Sequence, residues 1–306
     1  MNAPVIARRQ FVMGLTVPLA AVFVVAVGYG VVLPVLPFVL ARALGEAARA
    51  SVAWHTGLLT GVYMLALFLF APLWGYVSDR IGRRAVILFG LAGFSVAMLW
   101  FPLARGLVFV YGARALAGVF AAAVLPVVLA WVSDAGTSRT RARAFAWLSA
   151  ASALGFLFGP ALSGWLASIE VVALDDALAL PFYAAAALGG MVWLAAYRFL
   201  PESALLRARD SEPERSAPSL IWLLGLSLLV MYGIGSFEVG VALRGQQVLN
   251  LPPREIGWMF AECSLVMILA QVFVLAPLIK RVGGGLLAPA FLAMAVGVAL
   301  LPYAAS

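Results

Sequence analysis

Nine stretches of this chain run for about twenty residues with scarcely a charge in them, at about 13–40, 56–77, 85–104, 107–132, 145–168, 180–200, 219–243, 256–279 and 285–304. At 1.5 Å of rise per residue, each is long enough as a helix to cross a hydrocarbon layer roughly 30 Å thick. Composition removes the soluble alternative. Hydrophobic residues make up 65% and charged residues 11%, against about 45–50% and 25% in a soluble globular chain. A larger core cannot produce those values, because a soluble domain must still cover its surface with polar groups. A lipid-facing surface has no such requirement. The chain is therefore expected to be an all-α polytopic membrane protein.

The formal charge of +7 does not indicate nucleic-acid binding. The basic residues sit at the ends of apolar runs, where membrane proteins carry their cytoplasmic anchors. With the N-terminus inside, the inner set is Arg8, Arg9, Arg80, Arg83, Arg84, Arg139, Arg141, Arg143, Arg198, Arg207, Arg209, Arg215, Lys280 and Arg281. The outer set is Arg42, Arg49, Arg105, Arg244 and Arg254. Fourteen against five, with Arg114 inside a run, sets the orientation. Only Lys280 is a lysine, and the abundance of Ala and Gly fits GC-rich codon usage and a bacterial source. The expected location is the inner (cytoplasmic) membrane.

The longest polar stretch, from Pro201 to Ser219, follows the sixth run and has the composition of a linker. It divides the chain into a six-helix unit at 1–200, a cytoplasmic linker at 201–218 and a three-helix unit at 219–306. Gly57 opening the second run has a counterpart in Gly257 opening the eighth. Asp79-Arg80-Ile81-Gly82 is mirrored by Lys280-Arg281-Val282-Gly283. An offset of about two hundred residues is what a duplicated six-helix unit gives.

The second run ends in Gly75-Tyr76-Val77-Ser78-Asp79-Arg80-Ile81-Gly82-Arg83-Arg84. Gly75 permits close helix approach, Gly82 a tight turn, and Asp79 accepts hydrogen bonds from a nearby arginine or a helix N-terminus. The segment resembles the signature loop between helices two and three of the major facilitator superfamily. The fourth run holds Arg114-Ala115-Leu116-Ala117-Gly118, about 12 Å along its helix from Gly106. A charge at the membrane centre costs about 2.5–3.5 kcal/mol, so Arg114 should face protein or water and have a partner. It resembles the fourth-helix arginine that this family associates with proton coupling.

In the fifth run Ala151, Gly155, Gly159 and Ser163 recur every fourth residue, a small-residue stripe that lets helices touch. With Pro160 and Gly164, the string looks like the antiporter motif of family members that export drugs in exchange for protons. The first run's Gly28-Tyr29-Gly30 through Pro34 and Pro37 is similar to the first helix of tetracycline-type exporters. Val24-Val25-Ala26-Val27 stands where those carry an acid, so no first-helix carboxylate takes part here.

Glu238 and Glu262 lie in the seventh and eighth runs. A carboxyl at membrane depth can alternate between charged and neutral forms, which a proton-coupled exporter requires. Arg114 and Glu238 are expected to line a central cavity and couple protons, with Glu262 a further candidate and Tyr29 and Phe237 among the cavity aromatics. His55, at the outer mouth of the second helix, receives no role. No zinc spacing, phosphate loop or nucleophile set appears, so neither enzyme activity, metal nor cofactor is expected, and the proton gradient supplies the energy.

The resemblance implies two six-helix bundles around a central site that rock to expose it alternately. It points to a proton-driven exporter of small, partly apolar, drug-like molecules. The alternatives are a metabolite or sugar exporter of the same fold, or a non-transporting membrane sensor. The run ending near Ser306 is the ninth of the twelve that such a family has. Truncation, or a partner supplying three helices, is the corresponding expectation.

Overall fold

The computed structural model describes residues 14–45, 51–104, 106–135, 138–169, 177–201, 217–275 and 287–300. Among these the chain is helical, without strands. The first six helices are α1 (Thr16–Leu44), α2 (Val52–Ile81), α3 (Arg83–Leu103), α4 (Leu107–Ala135), α5 (Ser138–Leu166) and α6 (Leu180–Phe199). Then come α7 (Ala217–Leu243), α8 (Pro253–Ala270) and α9 (Leu287–Leu300). Eight helices among the described residues are long and apolar enough to cross a bilayer, and the protein is a multi-pass membrane protein. The ninth apolar run is helical over Leu287–Leu300, with its ends outside the described residues.

The ends of the helices follow from local chemistry. Gly82, at φ 99°, is the whole connection between α2 and α3, and only glycine adopts that conformation without penalty. Pro253 opens α8 after the extended Pro252, a position where proline's missing N–H leaves no hydrogen bond unmade. Single π-turns close α7 at Arg244–Val248 and α8 at Gln271–Leu275.

α1 is the central post of the first bundle, buried along most of its length. Its uniformly apolar sequence, with no polar stripe, is what a helix enclosed on all sides carries. It lies along α5 and α6, with α2 and α4 also against it, while α4 packs on α2 and α3 and α3 on α6. These six helices form one bundle. α8 packs on α5, and α7 on α2, with lighter contacts of both on α1, so these helices meet the first bundle along its α5, α1 and α2 faces.

Glycines set the closest seams. A Cβ added at Gly159 would lie 2.7 Å from the Val27 carbonyl oxygen and 3.0 Å from Gly30 Cα, and one at Gly155 would lie 2.7 Å from the Phe23 carbonyl. The α5 stripe therefore runs directly on the α1 backbone, as small residues at four-residue spacing lead one to expect. Ser163 belongs to the same face, its Oγ donating to the Val31 carbonyl at 2.6 Å. Gly164 faces elsewhere. A Cβ there would lie 2.7 Å from the Pro253 carbonyl of α8. The motif thus wedges α5 between α1 and α8.

One expectation needs correction. No described residue would come within 4 Å of a Cβ on Gly75, so the anticipated close helix approach is not made there. The two glycines of the Gly57–Gly257 match pack differently. Gly57 has open space, whereas Gly257 is pressed against Pro160 and Gly164 of α5. Lys280–Gly283, most of the 201–218 linker, Arg8, Arg9, Arg49 and Arg105 lie outside the described residues.

Candidate functional site

Arg114 begins the construction of the site. It sits two turns into α4 and has no solvent exposure, although it is the largest fully buried side chain among the described residues. Gly118, one helical turn further, explains how a partner reaches it. A Cβ at Gly118 would lie 2.5 Å from the Tyr63 carbonyl oxygen and 2.9 Å from Ala66. The absence of a side chain brings α2 against α4 and places the Tyr63 ring beside the guanidinium, whose Cζ is 4.5 Å from the ring centroid. Tyr29, from α1, closes the other side at 5.1 Å. The two rings lie 4.9 Å apart, and Phe156 of α5 meets Tyr29 edge-on at 5.6 Å.

Aromatic faces stabilise a cation through their quadrupole, by about 2 kcal/mol or more when the pair is desolvated. That contact uses the charge of the guanidinium and leaves its N–H donors unspent. Nε, Nη1 and Nη2 of Arg114 have no hydrogen-bond partner among the described residues.

The acid completes the group from the other bundle. Glu238, on α7 and 7% exposed, accepts a hydrogen bond at Oε2 from the Tyr29 hydroxyl. Arg114, Tyr29 and Glu238 are thus gathered from α4, α1 and α7. The expected partner of Arg114 is aromatic in the structure, and the carboxyl is reached only through the tyrosine. Tyr63 was not among the residues singled out from the sequence.

Two sequence candidates stand apart. Glu262 is on an exposed face of α8 and takes no part in the cluster. Phe237 is half-buried and packs against the apolar core. His55 Nδ1 pairs with the Tyr111 hydroxyl at 2.9 Å. Among the described residues, no group of three or more His, Cys, Asp or Glu side chains is placed to hold a metal ion.

A second polar cluster occupies the α2–α3 connection. Arg83 is its hub. It pairs with Asp79 at 2.5 Å and with Asp134, near the end of α4, at 3.1 Å. It also donates to the Ser78 hydroxyl and to the Gly75 carbonyl. Gly75 therefore contributes its carbonyl, which Ser78 Oγ also engages at 2.7 Å. Arg84 donates to the Tyr197 carbonyl of α6 at 2.6 Å, and Arg80 stacks over Tyr76 at 4.3 Å. One short loop ties together the ends of α2, α3, α4 and α6. Asp134 is the member that motif spacing did not reveal.

Known proteins place this arrangement. Residues 19–306 match the Major Facilitator Superfamily. Tetracycline resistance protein, class C, of Escherichia coli is 32% identical over 280 residues, covering 88% of this chain and 68% of that protein. Multidrug resistance protein 2 of Bacillus subtilis (strain 168) is 26% identical over 279 residues, covering 87% and 66%. The chain thus spans about two thirds of the length of the curated relatives it matches. The crystal structure of the human organic anion transporter MFSD10 (TETRAN) superposes with a TM-score of 0.65 at 21% identity, covering 90% of this chain and 74% of that one. Helix packing, the α2–α3 loop, the α5 glycines and these matches lead to one assignment: the chain belongs to the major facilitator superfamily of membrane transporters.

Proposed function

We propose that this protein exports small amphipathic, drug-like molecules in exchange for protons, exposing a central site alternately to the two sides of the membrane. The observation that carries the proposal is the hydrogen bond from Tyr29 to Glu238 beside Arg114. It joins the first bundle to α7 of the second at membrane depth. A carboxyl there changes charge when it takes up or releases a proton, and in low dielectric that change is felt strongly by a cation nearby. Protonation state and the fit between the bundles are therefore linked through the same few atoms.

The resistance proteins named above support export and the substrate class. In this scheme α1–α6 and the helices after the 201–218 linker are the two moving parts. The Arg83 hub, with Asp79, Arg80, Gly82 and Arg84, is the switch that holds the cytoplasmic ends. Gly155, Gly159, Pro160 and Gly164 form the sliding surface of α5. The membrane is the bacterial inner membrane, with the N-terminus on the cytoplasmic side as its arginines require.

The test is efflux from proteoliposomes loaded with a fluorescent amphipathic drug, with and without an imposed proton gradient. The expected result is gradient-dependent efflux that a protonophore abolishes and that Glu238→Gln, folded and reconstituted to the same level, does not support. Full gradient-driven efflux by Glu238→Gln would remove the carboxyl from the mechanism. Efflux indifferent to the gradient would remove proton exchange.

A further inference from the structure

The guanidinium of Arg114 has an unusual deficit. It is wholly buried, its charge is balanced by two aromatic faces, and all three of its nitrogens lack an acceptor. A buried group of five N–H donors left unpaired is costly and persists where something else completes it. Glu238 does not do so: it accepts from the Tyr29 hydroxyl, and no hydrogen bond joins it to Arg114.

We infer that Arg114 is a recognition point for the acid group of the substrate, so that the molecules carried include amphipathic carboxylates. The planar fork of a guanidinium matches a carboxylate in two parallel hydrogen bonds, a fit that a point charge such as lysine lacks. The surroundings suit the remainder of such a molecule. Tyr29 and Tyr63 flank the fork and Phe156 packs on Tyr29, an aromatic lining for an aryl or alkyl body once α7 parts from the first bundle. Access follows the seam at which Tyr29 meets Glu238, because that contact is where α7 closes over the first bundle. The assignment deepens the proposed export function by naming a substrate class.

Three probes with one apolar body separate charge from hydrophobicity: 4-phenylbutyrate, its methyl ester, and 4-phenylbutyl-trimethylammonium. Equilibrium binding to the full chain in detergent is measured for each, with no transport required. The wild type is expected to hold the acid about tenfold or more tighter than the ester, the least that a charge-assisted hydrogen bond provides. Arg114→Gln should erase that preference, read as the ratio of acid to ester affinity in the same variant. Arg114→Lys, which keeps the charge in the box, should reduce the preference severalfold, and it carries the test if Arg114→Gln does not fold. An acid bound no better than its ester by the wild type overturns the inference, as does a preference that survives Arg114→Gln. Failure of export is read separately. Acid preference in binding without gradient-driven efflux of any probe would leave the Arg114 site standing and dismiss the exporter, whereas efflux of the cation or ester without acid preference would do the reverse.

Discussion

At the scale of single residues, the Tyr29 hydroxyl has a distinctive position. Its ring contributes to the box around Arg114, and its O–H reaches across to Glu238. The two roles can be separated. Tyr29→Phe keeps the ring and removes the donor, leaving a buried carboxyl without its hydrogen bond, a loss of about 1–3 kcal/mol. The expected outcome is a large fall in gradient-driven efflux with carboxylate binding at Arg114 retained within about threefold, that is, within about 0.7 kcal/mol. Parallel efflux and binding measurements on the one variant check it.

Which of these residues the sequence discloses is a matter of rarity. Arg114 and Glu238 stand out because charges in apolar runs are few. Tyr63 does not, because it is one of many aromatics, and nothing in its own helix says that Gly118 of another will bring it to an arginine. Asp134 offered a signal that motif spacing passes over. It stands close to the end of α4, where the helix dipole disfavours an anion, and such a residue implies a cation from elsewhere. Arg83 is that cation.

At the scale of helices, packing depends on where glycine is required, and paired substitutions isolate it. Gly112 and Gly118 are both on α4, yet a Cβ at the first meets nothing within 4 Å while one at the second overlaps the Tyr63 carbonyl. Backbone cannot step aside as a side-chain tip can. Gly118→Ala is expected to destabilise by about 1–3 kcal/mol through overpacking, and Gly112→Ala to be neutral or slightly stabilising, since alanine restricts the unfolded chain. The pair Gly257→Ala and Gly57→Ala should divide in the same way. Unfolding of the four variants in mixed micelles, followed by circular dichroism, checks both pairs. A match between two stretches of sequence does not carry their packing. Gly57 and Gly257 looked equivalent because each opens its helix, but only Gly257 is buried against α5. The α5 stripe was legible for the opposite reason: four small residues at one spacing define a face without reference to any partner.

At the scale of the whole molecule, the apolar runs determined the architecture most completely, since each run lies in a helix over its described residues, α5 alone starting well ahead of its run, at Ser138. Lipid supplies the reason. Length and charge are constrained at every crossing, whereas the pairing of helices depends on contacts between residues far apart in sequence. The arrangement makes a prediction about sidedness. α3 runs from Arg83 to Leu103, 21 residues or about 31 Å at 1.5 Å each, enough for one crossing. Its flanking residues Ile81 and Leu103 are 61% and 66% exposed, and the arginine-rich loop lies at the first end only. In a Cys263→Ser background, which removes the single native thiol, Ile81→Cys should react with a membrane-impermeant maleimide in inverted vesicles and not in intact cells. Leu103→Cys should show the reverse. The gradient of positive charge from one end of the helix to the other is what sets that asymmetry. Reaction of both cysteines from one side would mean that α3 does not cross, and since α4 and α6 pack against it, neither the Arg114 box nor its link to Glu238 would then lie at membrane depth.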